Sequence, residues 1–325
     1  MRAAVVEAPG TAPVAGERPE PTRGAGEVLV AVSAAPLVPL DRLCASGTSY
    51  FGVPAVPYVP GVQGVGVVAD GSAALRPGTP VWFVTNAGMQ PGDGSMRALA
   101  SVPEHDVVVL PPGADPVLVA ALGLSAVAAW MALTLRGGLA AGERVLVLGA
   151  GGVVGQAAVQ LARSAGAGRV VAAARSERAR ERARQMGADA VVALDGAGSV
   201  KGVADVEALT ERMRADGPVD LVVDPLFGVP AAAALRALRP HGRLVNLGSS
   251  AAETAPLDSA TLRSRSLRVL GYTNNELTPP QRAEALAHVV AEVLAGRLTA
   301  AHERVSLSAV TAAWTRPGDR VVLVP

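Results

Sequence analysis

The fold of this 325-residue chain is decided by the stretch Arg144-Val145-Leu146-Val147-Leu148-Gly149-Ala150-Gly151-Gly152-Val153-Val154-Gly155. Its first five residues form an apolar run of the kind that buried parallel strands use. The glycines that follow are typical of a tight turn, and the segment from Gly152 to Ala165 favours a helix. The stretch therefore predicts a strand, a glycine-rich turn and a helix in immediate succession.

Strands and helices keep alternating after this stretch. The sequence predicts, in order, strand Arg169–Ala174, helix Glu177–Met186, strand Ala190–Leu194, a helix near Val203–Arg214, strand Asp220–Asp224, helix Pro230–Leu238, strand Arg243–Leu247 and strand Leu267–Tyr272. This rhythm is typical of βαβ units, so we expect an α/β fold with a doubly wound parallel sheet of the Rossmann type. A helix over Pro279–Ala295 and a strand over Arg320–Val324 are predicted to follow.

The first part of the chain has a different character. Short β-branched runs at Val28–Val32, Val62–Val68 and Val107–Leu110 are separated by turn-forming dipeptides, which predicts a β-rich domain. No charged residue occurs from Pro116 to Leu135, a length that could cross a bilayer. This segment is alanine-rich and lacks a flanking basic cluster, so we interpret it as a buried helix and expect no membrane contact.

The glycine-rich turn resembles a dinucleotide-binding fingerprint, in the form Ala-x-Gly-x-x-Gly. Ala150 is small enough for the tight turn, Gly152 allows the backbone to approach a pyrophosphate, and Gly155 allows the helix to pack closely on the strand. The amino end of the helix offers backbone N–H groups and a positive dipole to phosphates. We therefore predict that the nucleotide is bound by residues Ala150, Gly151, Gly152, Val153, Val154 and Gly155.

The end of the next strand indicates which nucleotide is bound. Enzymes that prefer NAD place an Asp or Glu there for the ribose 2′-hydroxyl. Here the strand ends in Ala174-Arg175-Ser176, followed by Arg178. Guanidinium groups bind a 2′-phosphate through charge-assisted hydrogen bonds, so Arg175, Ser176 and Arg178 predict NADPH as the cofactor. Surface arginines of a basic helix, with Glu177 offsetting their field, are the alternative interpretation.

Composition excludes several function classes. Lys and Arg total 29 and Asp and Glu total 28, so no net charge favours nucleic acid or an anionic membrane as a partner. One cysteine, Cys44, allows neither an intrachain disulfide nor a four-cysteine zinc site. The N-terminal residues Met1–Val6 lack the features of a signal peptide, so we expect a cytoplasmic protein.

These features together resemble the medium-chain dehydrogenase/reductase superfamily, specifically its zinc-free, zeta-crystallin-like quinone oxidoreductase group. Besides the nucleotide turn, the resemblance is carried by Met1–Val6, Gly26-Glu27-Val28-Leu29-Val30, Val59-Pro60-Gly61, Ala129-Trp130-Met131-Ala132-Leu133, Gly187-Ala188-Asp189-Ala190-Val191, Asp220-Leu221-Val222-Val223-Asp224-Pro225 and Gly242-Arg243-Leu244-Val245. It implies a GroES-like domain split between residues 1–117 and 273–325, with the Rossmann domain at 118–272. It also implies a homodimer.

The resemblance implies further site residues. By analogy the nicotinamide lies near Asn246-Leu247-Gly248-Ser249 and Gly271-Tyr272-Thr273. Of these, Leu247, Gly248, Ser249 and Tyr272 are predicted to bind the cofactor. Zinc-dependent relatives carry Gly-His-Glu where this chain has Gly61-Val62-Gln63, and their early cysteine ligand falls at about Val38. None of these three positions supplies a zinc ligand, so we predict a metal-free site.

The residues predicted to contact the hydride acceptor come from the first part of the chain. Quinone reductases of this group usually show Asn-Pro-x-Asp where this chain has Val38-Pro39-Leu40-Asp41, which indicates a more apolar pocket. We predict that Val38, Asp41, Tyr50 and Gln63 contact the substrate, with Tyr50 the one weak candidate for a catalytic group.

Without zinc, hydride must go to an acceptor that is already electrophilic, so a small-molecule quinone or α,β-unsaturated carbonyl is predicted as the substrate. An enoyl reductase acting on an acyl thioester is one alternative. An NADPH-binding protein with little turnover is the other.

Overall fold

The computed structural model describes residues 1–194 and 203–325. Within those ranges the strands are β1 (Arg2–Val5), β2 (Val14–Glu17), β3 (Glu27–Pro36), β4 (Gln63–Asp70), β5 (Pro80–Val84), β6 (Leu99–Pro103), β7 (Val107–Val109), β8 (Arg144–Leu148), β9 (Arg169–Ala174), β10 (Ala190–Ala193), β11 (Val219–Asp224), β12 (Leu238–Asn246), β13 (Arg268–Gly271), β14 (His302–Ser306) and β15 (Arg320–Val324). The α-helices are α1 (Pro39–Ser46), α2 (Pro116–Met131), α3 (Val153–Ser164), α4 (Glu177–Gln185), α5 (Val203–Met213), α6 (Gly228–Ala237), α7 (Ser259–Ser264), α8 (Pro279–Leu294) and α9 (Val310–Trp314).

The described chain divides into two compact units. The first unit comprises residues 1–123, 286–294 and 300–325, and the second comprises residues 124–285 and 295–299. The domain boundaries after residues 117 and 272 stay a prediction.

The second unit contains a six-stranded sheet in the order β10-β9-β8-β11-β12-β13, and every neighbouring pair in it is parallel. Strand β11 is buried along its whole length, as expected where helices cover both faces of a parallel sheet. The predicted doubly wound α/β fold is confirmed. Strands β8 and β9 begin and end at the predicted residues.

The first unit is built on a seven-stranded sheet of order β14-β15-β3-β4-β5-β7, with β6 pairing to β3. Its core includes the fully buried side chains of Phe83, Met96 and Leu323, so the two ends of the chain share one hydrophobic core. This is the GroES-like β-rich architecture that the resemblance implied.

The uncharged segment forms α2 and continues as a π-helical turn over Ala132–Arg136. It is long and apolar enough to span a membrane, but 72% of its most apolar window is buried inside the protein. The helix kinks at Gly123, beside which Gln63 and Trp82 lie. The predicted buried helix is confirmed.

Several elements were not anticipated. Helix α1 is only eight residues long, and strand β14 carries a single apolar residue, Val305. Strand β14 exists because it pairs with β15 from His302 to Ser306, a tertiary contact that the local sequence does not indicate.

Candidate functional site

The glycine-rich turn joins β8 to α3 at the carboxyl edge of the parallel sheet. Its left-handed residue is Gly149, with a φ of 65°, so the tight turn predicted at Ala150 depends on its neighbour instead. Ala150 is buried, and its amide donates to the carbonyl of Ala173 at 3.0 Å. The turn is thereby fixed to β9 as well as to its own strand.

Close packing of α3 against the turn depends on Gly155. A Cβ atom there would lie 2.4 Å from the carbonyl oxygen of Gly149 and 2.6 Å from the Cα of Ala150. A Cβ at Gly152 would instead meet only an ordinary contact, 3.6 Å from the same oxygen. Gly155 therefore has the packing role predicted for it, and Gly152 lies on the exposed side of the turn.

The amino end of α3 is suited to phosphate. The first intrahelical bond runs from the amide of Gln156 to the carbonyl of Gly152 at 2.9 Å, so the amides of Val153, Val154 and Gly155 have no acceptor inside the helix. The Gln156 side chain also donates to the carbonyl of Gly151 at 2.9 Å. These residues fit a dinucleotide pyrophosphate, because they combine backbone donors, a helix dipole and open space over Gly152.

The end of β9 carries the three residues predicted for the 2′-phosphate. Arg175, Ser176 and Arg178 are all exposed. Ser176 is the N-cap of α4, and its hydroxyl accepts a hydrogen bond from the amide of Ala179 at 3.2 Å. The cap places the positive end of the α4 dipole beside Arg175, an arrangement that favours a bound anion.

A buried carboxylate organises the next edge of the sheet. Asp224 ends β11 with no exposed surface, and its Oδ1 accepts from the amides of Leu226 and Phe227, each at 2.9 Å. Its Oδ2 accepts from Nδ2 of Asn246 at 3.1 Å, which also donates to the carbonyl of Gly248 at 2.8 Å. Burial raises the pKa of Asp224, and these donors oppose the rise.

Asp224 thus joins the loops that follow β11 and β12. Leu226 approaches the glycine-rich turn closely: a Cβ on Gly149 would lie 3.0 Å from its Cδ2. The predicted nicotinamide residues Leu247, Gly248 and Ser249 lie on the second of these loops. The sequence predicts that Asp224 and Pro225 end a strand beside the cofactor, but it predicts none of the hydrogen bonds of Asp224. Asn246, which completes the arrangement, belongs to the segment Asn246–Ser249 that the resemblance places near the nicotinamide, but its bond to Asp224 was not predicted.

Tyr272, also predicted near the nicotinamide, follows β13. Its side chain is 8% exposed, and its hydroxyl donates to Oδ1 of Asn274 at 2.7 Å. Asn274 in turn donates to the carbonyl of Leu124 at 2.9 Å. The hydroxyl is therefore engaged inside the protein, which leaves the ring as the part of Tyr272 that can contact a ligand.

The residues predicted for the acceptor lie in the first unit. Asp41 is 2% exposed, and its two carboxylate oxygens accept from the amides of Val38 at 2.8 Å and Val62 at 2.9 Å. Burial raises the pKa of Asp41 to about 6, although both amides and the charge of Arg320 oppose that rise. Arg320 donates to the carbonyl of Leu37 at 2.8 Å. Asp41 and Arg320 therefore both hold backbone near Val38.

Gln63 is fully buried, and its Oε1 accepts from Nε1 of Trp82 at 3.0 Å. Tyr50, in contrast, is 77% exposed, and its ring lies 4.2 Å from that of Phe51. Of the four residues predicted to contact substrate, Val38, Asp41 and Gln63 are buried and Tyr50 is open to solvent.

Two family models match the chain. The model described as zinc-binding dehydrogenase covers residues 153–292, and the model described as alcohol dehydrogenase GroES-like domain covers residues 24–112. A quinone oxidoreductase from Homo sapiens is 29% identical over 264 residues, which is 80% of this chain and 76% of the relative. The chain belongs to the quinone oxidoreductase group of the medium-chain dehydrogenase/reductase superfamily.

Two further proteins to which the chain is similar are informative. The solved structure of the quinone oxidoreductase from Thermus thermophilus, described also in its complex with NADPH, is 28% identical, covers both chains fully and has a TM-score of 0.82. The spectinabilin polyketide synthase system protein NorB from Streptomyces orinoci is 32% identical over 251 residues, which is 73% of this chain and 11% of that protein.

Membership of this superfamily makes the chain an oxidoreductase of a family that depends on nicotinamide nucleotides. Metal content is a separate question, since one matching family model is described as zinc-binding. Across residues 1–194 and 203–325, no three His, Cys, Asp or Glu side chains converge as a metal site. Zinc independence stays a prediction from the residues at Val38, Val62 and Gln63.

Proposed function

We propose that this oxidoreductase uses NADPH, without zinc, to reduce a quinone or an α,β-unsaturated carbonyl. The observation that carries the proposal is the end of β9, where Arg175 and the N-cap Ser176 stand in place of the carboxylate typical of NAD-dependent enzymes. The complex with NADPH described for the Thermus thermophilus quinone oxidoreductase supports the same cofactor.

In this proposal, residues 150–155 hold the pyrophosphate through the first-turn amides of α3, and Arg175, Ser176 and Arg178 bind the 2′-phosphate. The loop held by Asp224 and Asn246 presents Leu247, Gly248 and Ser249 to the nicotinamide ring. NADPH supplies a hydride when bound. The protein therefore has to orient the ring and keep water away from it.

For the acceptor, Asp41 serves by fixing the backbone at Val38 and Val62, and Gln63 serves by holding the indole of Trp82, because the side-chain oxygens of both residues are already bonded internally. Val38 makes the surroundings apolar, which suits a conjugated acceptor. Tyr50 is exposed, so it is the residue of this set that can donate a hydrogen bond to the oxygen on which charge develops.

The proposal is tested by following NADPH oxidation with a panel of quinones and enones, before and after treatment with a metal chelator. We expect turnover with at least one acceptor class and no loss of rate after chelation. Rate loss that added zinc restores would contradict the metal-free chemistry. Tight NADPH binding with no turnover would favour a binding protein.

An enoyl reductase acting on an acyl thioester is the second candidate. It is favoured by the likeness to NorB, a polyketide synthase system protein, although the chain corresponds to only 11% of that protein's length. Including an enoyl thioester in the acceptor panel separates the two candidates. A thioester preferred over every free enone and quinone would support the second.

We also propose a cytoplasmic homodimer. Strand β13 is the edge of the six-stranded sheet, and Val269 on it is 39% exposed. An unpaired apolar edge of this kind is suited to pairing with a second copy. Light scattering of the wild-type protein and of Val269→Asp tests this proposal: we expect a dimer and a monomer, respectively.

A further inference from the structure

The turn between β9 and α4 is held from the helix side by Arg180. Its Nη1 donates to the carbonyl of Arg175 at 2.6 Å and to the carbonyl of Ala174 at 3.3 Å. Its Nε and Nη2 donate to Oε2 of Glu177 at 3.0 and 2.6 Å. One guanidinium therefore connects the last residue of β9, the first residue of the turn and the first residue of α4.

The exposure of the two side chains shows that Arg180, and not Glu177, is the one packed against the protein. The Arg180 side chain is 12% exposed, whereas that of Glu177 is 68% exposed. A solvent-exposed ion pair is worth little by itself, but the planar guanidinium fork is directed at two backbone carbonyls in a fixed geometry. Glu177 fills the remaining side of the fork and so limits the orientations that Arg180 can adopt.

Arg184 provides an internal comparison. It lies one turn further along α4 and also pairs with Glu177, at 3.4 Å, as well as with Glu181 at 2.9 Å. Its side chain is 47% exposed. Arg180 and Arg184 thus share a carboxylate partner and a helix, but Arg180 is the one bonded to the carbonyls of the turn.

We infer that Arg180, held by Glu177, is a positioning residue for cofactor selection. It fixes the carbonyls of Ala174 and Arg175 and thereby the direction in which Arg175 and Ser176 face the 2′-phosphate. The inference rests on the proposed use of NADPH. It also reverses the simple expectation for Glu177, whose negative charge near a phosphate would by itself weaken NADPH binding.

The two effects of Glu177 have opposite signs, which makes the inference testable. Dissociation constants for NADPH and NADH are measured for the wild type and for Glu177→Ala, Arg180→Ala and Arg184→Ala. We expect Glu177→Ala and Arg180→Ala to weaken NADPH about tenfold more than NADH, the loss of one charge-assisted bond. Arg184→Ala, the matched control, is expected to leave the ratio of the two constants within about twofold.

Tighter NADPH binding by Glu177→Ala would overturn the inference, because it is the result of charge alone. If Arg180→Ala weakened the binding of NADPH and NADH by the same factor, that result would overturn the inference as well. Arg180→Lys separates position from charge. Lysine keeps the charge but lacks the fork, so we expect it to recover less than half of the lost NADPH preference, and full recovery would contradict positioning.

Thermal unfolding of each variant, measured without nucleotide, is the control for correct folding. If an alanine variant does not fold, Glu177→Gln and Arg180→Lys carry the test. Glutamine removes the charge but keeps an oxygen acceptor for Arg180, so positioning predicts NADPH binding no tighter than that of the wild type, whereas charge alone predicts tighter binding.

Arg175→Ala distinguishes the inference from the proposed function. A wild type with no NADPH preference would refute the cofactor proposal. A preference that is lost in Arg175→Ala but kept in Arg180→Ala would refute the positioning role alone.

Discussion

The glycine-rich turn predicted to bind the nucleotide and the segment predicted to hold the acceptor use their residues in opposite ways. In the turn of residues 149–155, backbone amides form the surface offered to the nucleotide, and the glycines leave space for it because they lack side chains. Around Val38, polar side chains are present but turn inward, since Asp41 and Gln63 are bonded to protein groups. A site made of backbone can be deduced from a local motif, whereas a site made of buried side chains depends on distant partners.

The comparison is tested most strongly by placing one methyl group at each of two glycines of the turn. Gly155→Ala should lower the free energy of unfolding by about 3 kcal/mol, because its Cβ overlaps the backbone of Gly149 and Ala150. Gly152→Ala, the matched control, should change stability by less than about 0.5 kcal/mol, yet weaken NADPH binding. Chemical denaturation and nucleotide titration measure both effects, and equal stability losses would break the distinction.

The second prediction concerns the pH dependence that buried Asp41 imposes. Its folded-state pKa of about 6 lies above the ordinary value of 3.8, so the folded protein holds this proton more tightly than the unfolded chain. Its contribution to stability is therefore complete below pH 3.8 and is lost as the pH rises through about 6.

As the pH rises from 3.8 to about 6, the free energy of unfolding of the wild type should accordingly fall by on the order of 2 kcal/mol relative to that of Asp41→Asn. The other carboxyl groups are shared by both proteins and cancel in the difference. Urea unfolding at several pH values measures it. A difference that stays constant with pH would show that Asp41 is not buried as described.

The smallest expected effect concerns Tyr272, which lies in the second unit but resembles Asp41 in having its polar group bonded internally. Tyr272→Phe should lower the free energy of unfolding by about 1 kcal/mol, because Oδ1 of Asn274 loses its hydrogen-bond donor. It should leave the NADPH dissociation constant unchanged. A marked loss of NADPH affinity would mean that the hydroxyl contacts the cofactor, and the division between the two kinds of site would then need revision.

Much of the fold was predictable because its strands and turns have local sequence patterns. Strands β8, β9 and β15 are recognisable as short apolar runs, and the structure bounds them at the predicted residues. Strand β14 carries alternating charge and is specified by its pairing with β15, so no local pattern reveals it.

The candidate site divides in the same way. The glycine turn follows from its spacing, although the left-handed residue of the tight turn is Gly149, which the motif does not single out. The link between Asp224 and Asn246 joins two loops at the ends of neighbouring strands, and the hold of Arg180 on its turn depends on rotamers. Neither has a sequence signal beyond a polar residue near a strand end.

The central claim is that the β8–α3 turn and the end of β9 together bind NADPH in preference to NADH. Titration calorimetry of both nucleotides, with the wild type and with a variant carrying Arg175→Ala and Arg178→Ala, tests it most directly. We predict that the wild type binds NADPH at least about tenfold more tightly than NADH, and that the variant loses this preference while still binding NADH. Equal affinities in the wild type, or no binding of either nucleotide, would contradict the account.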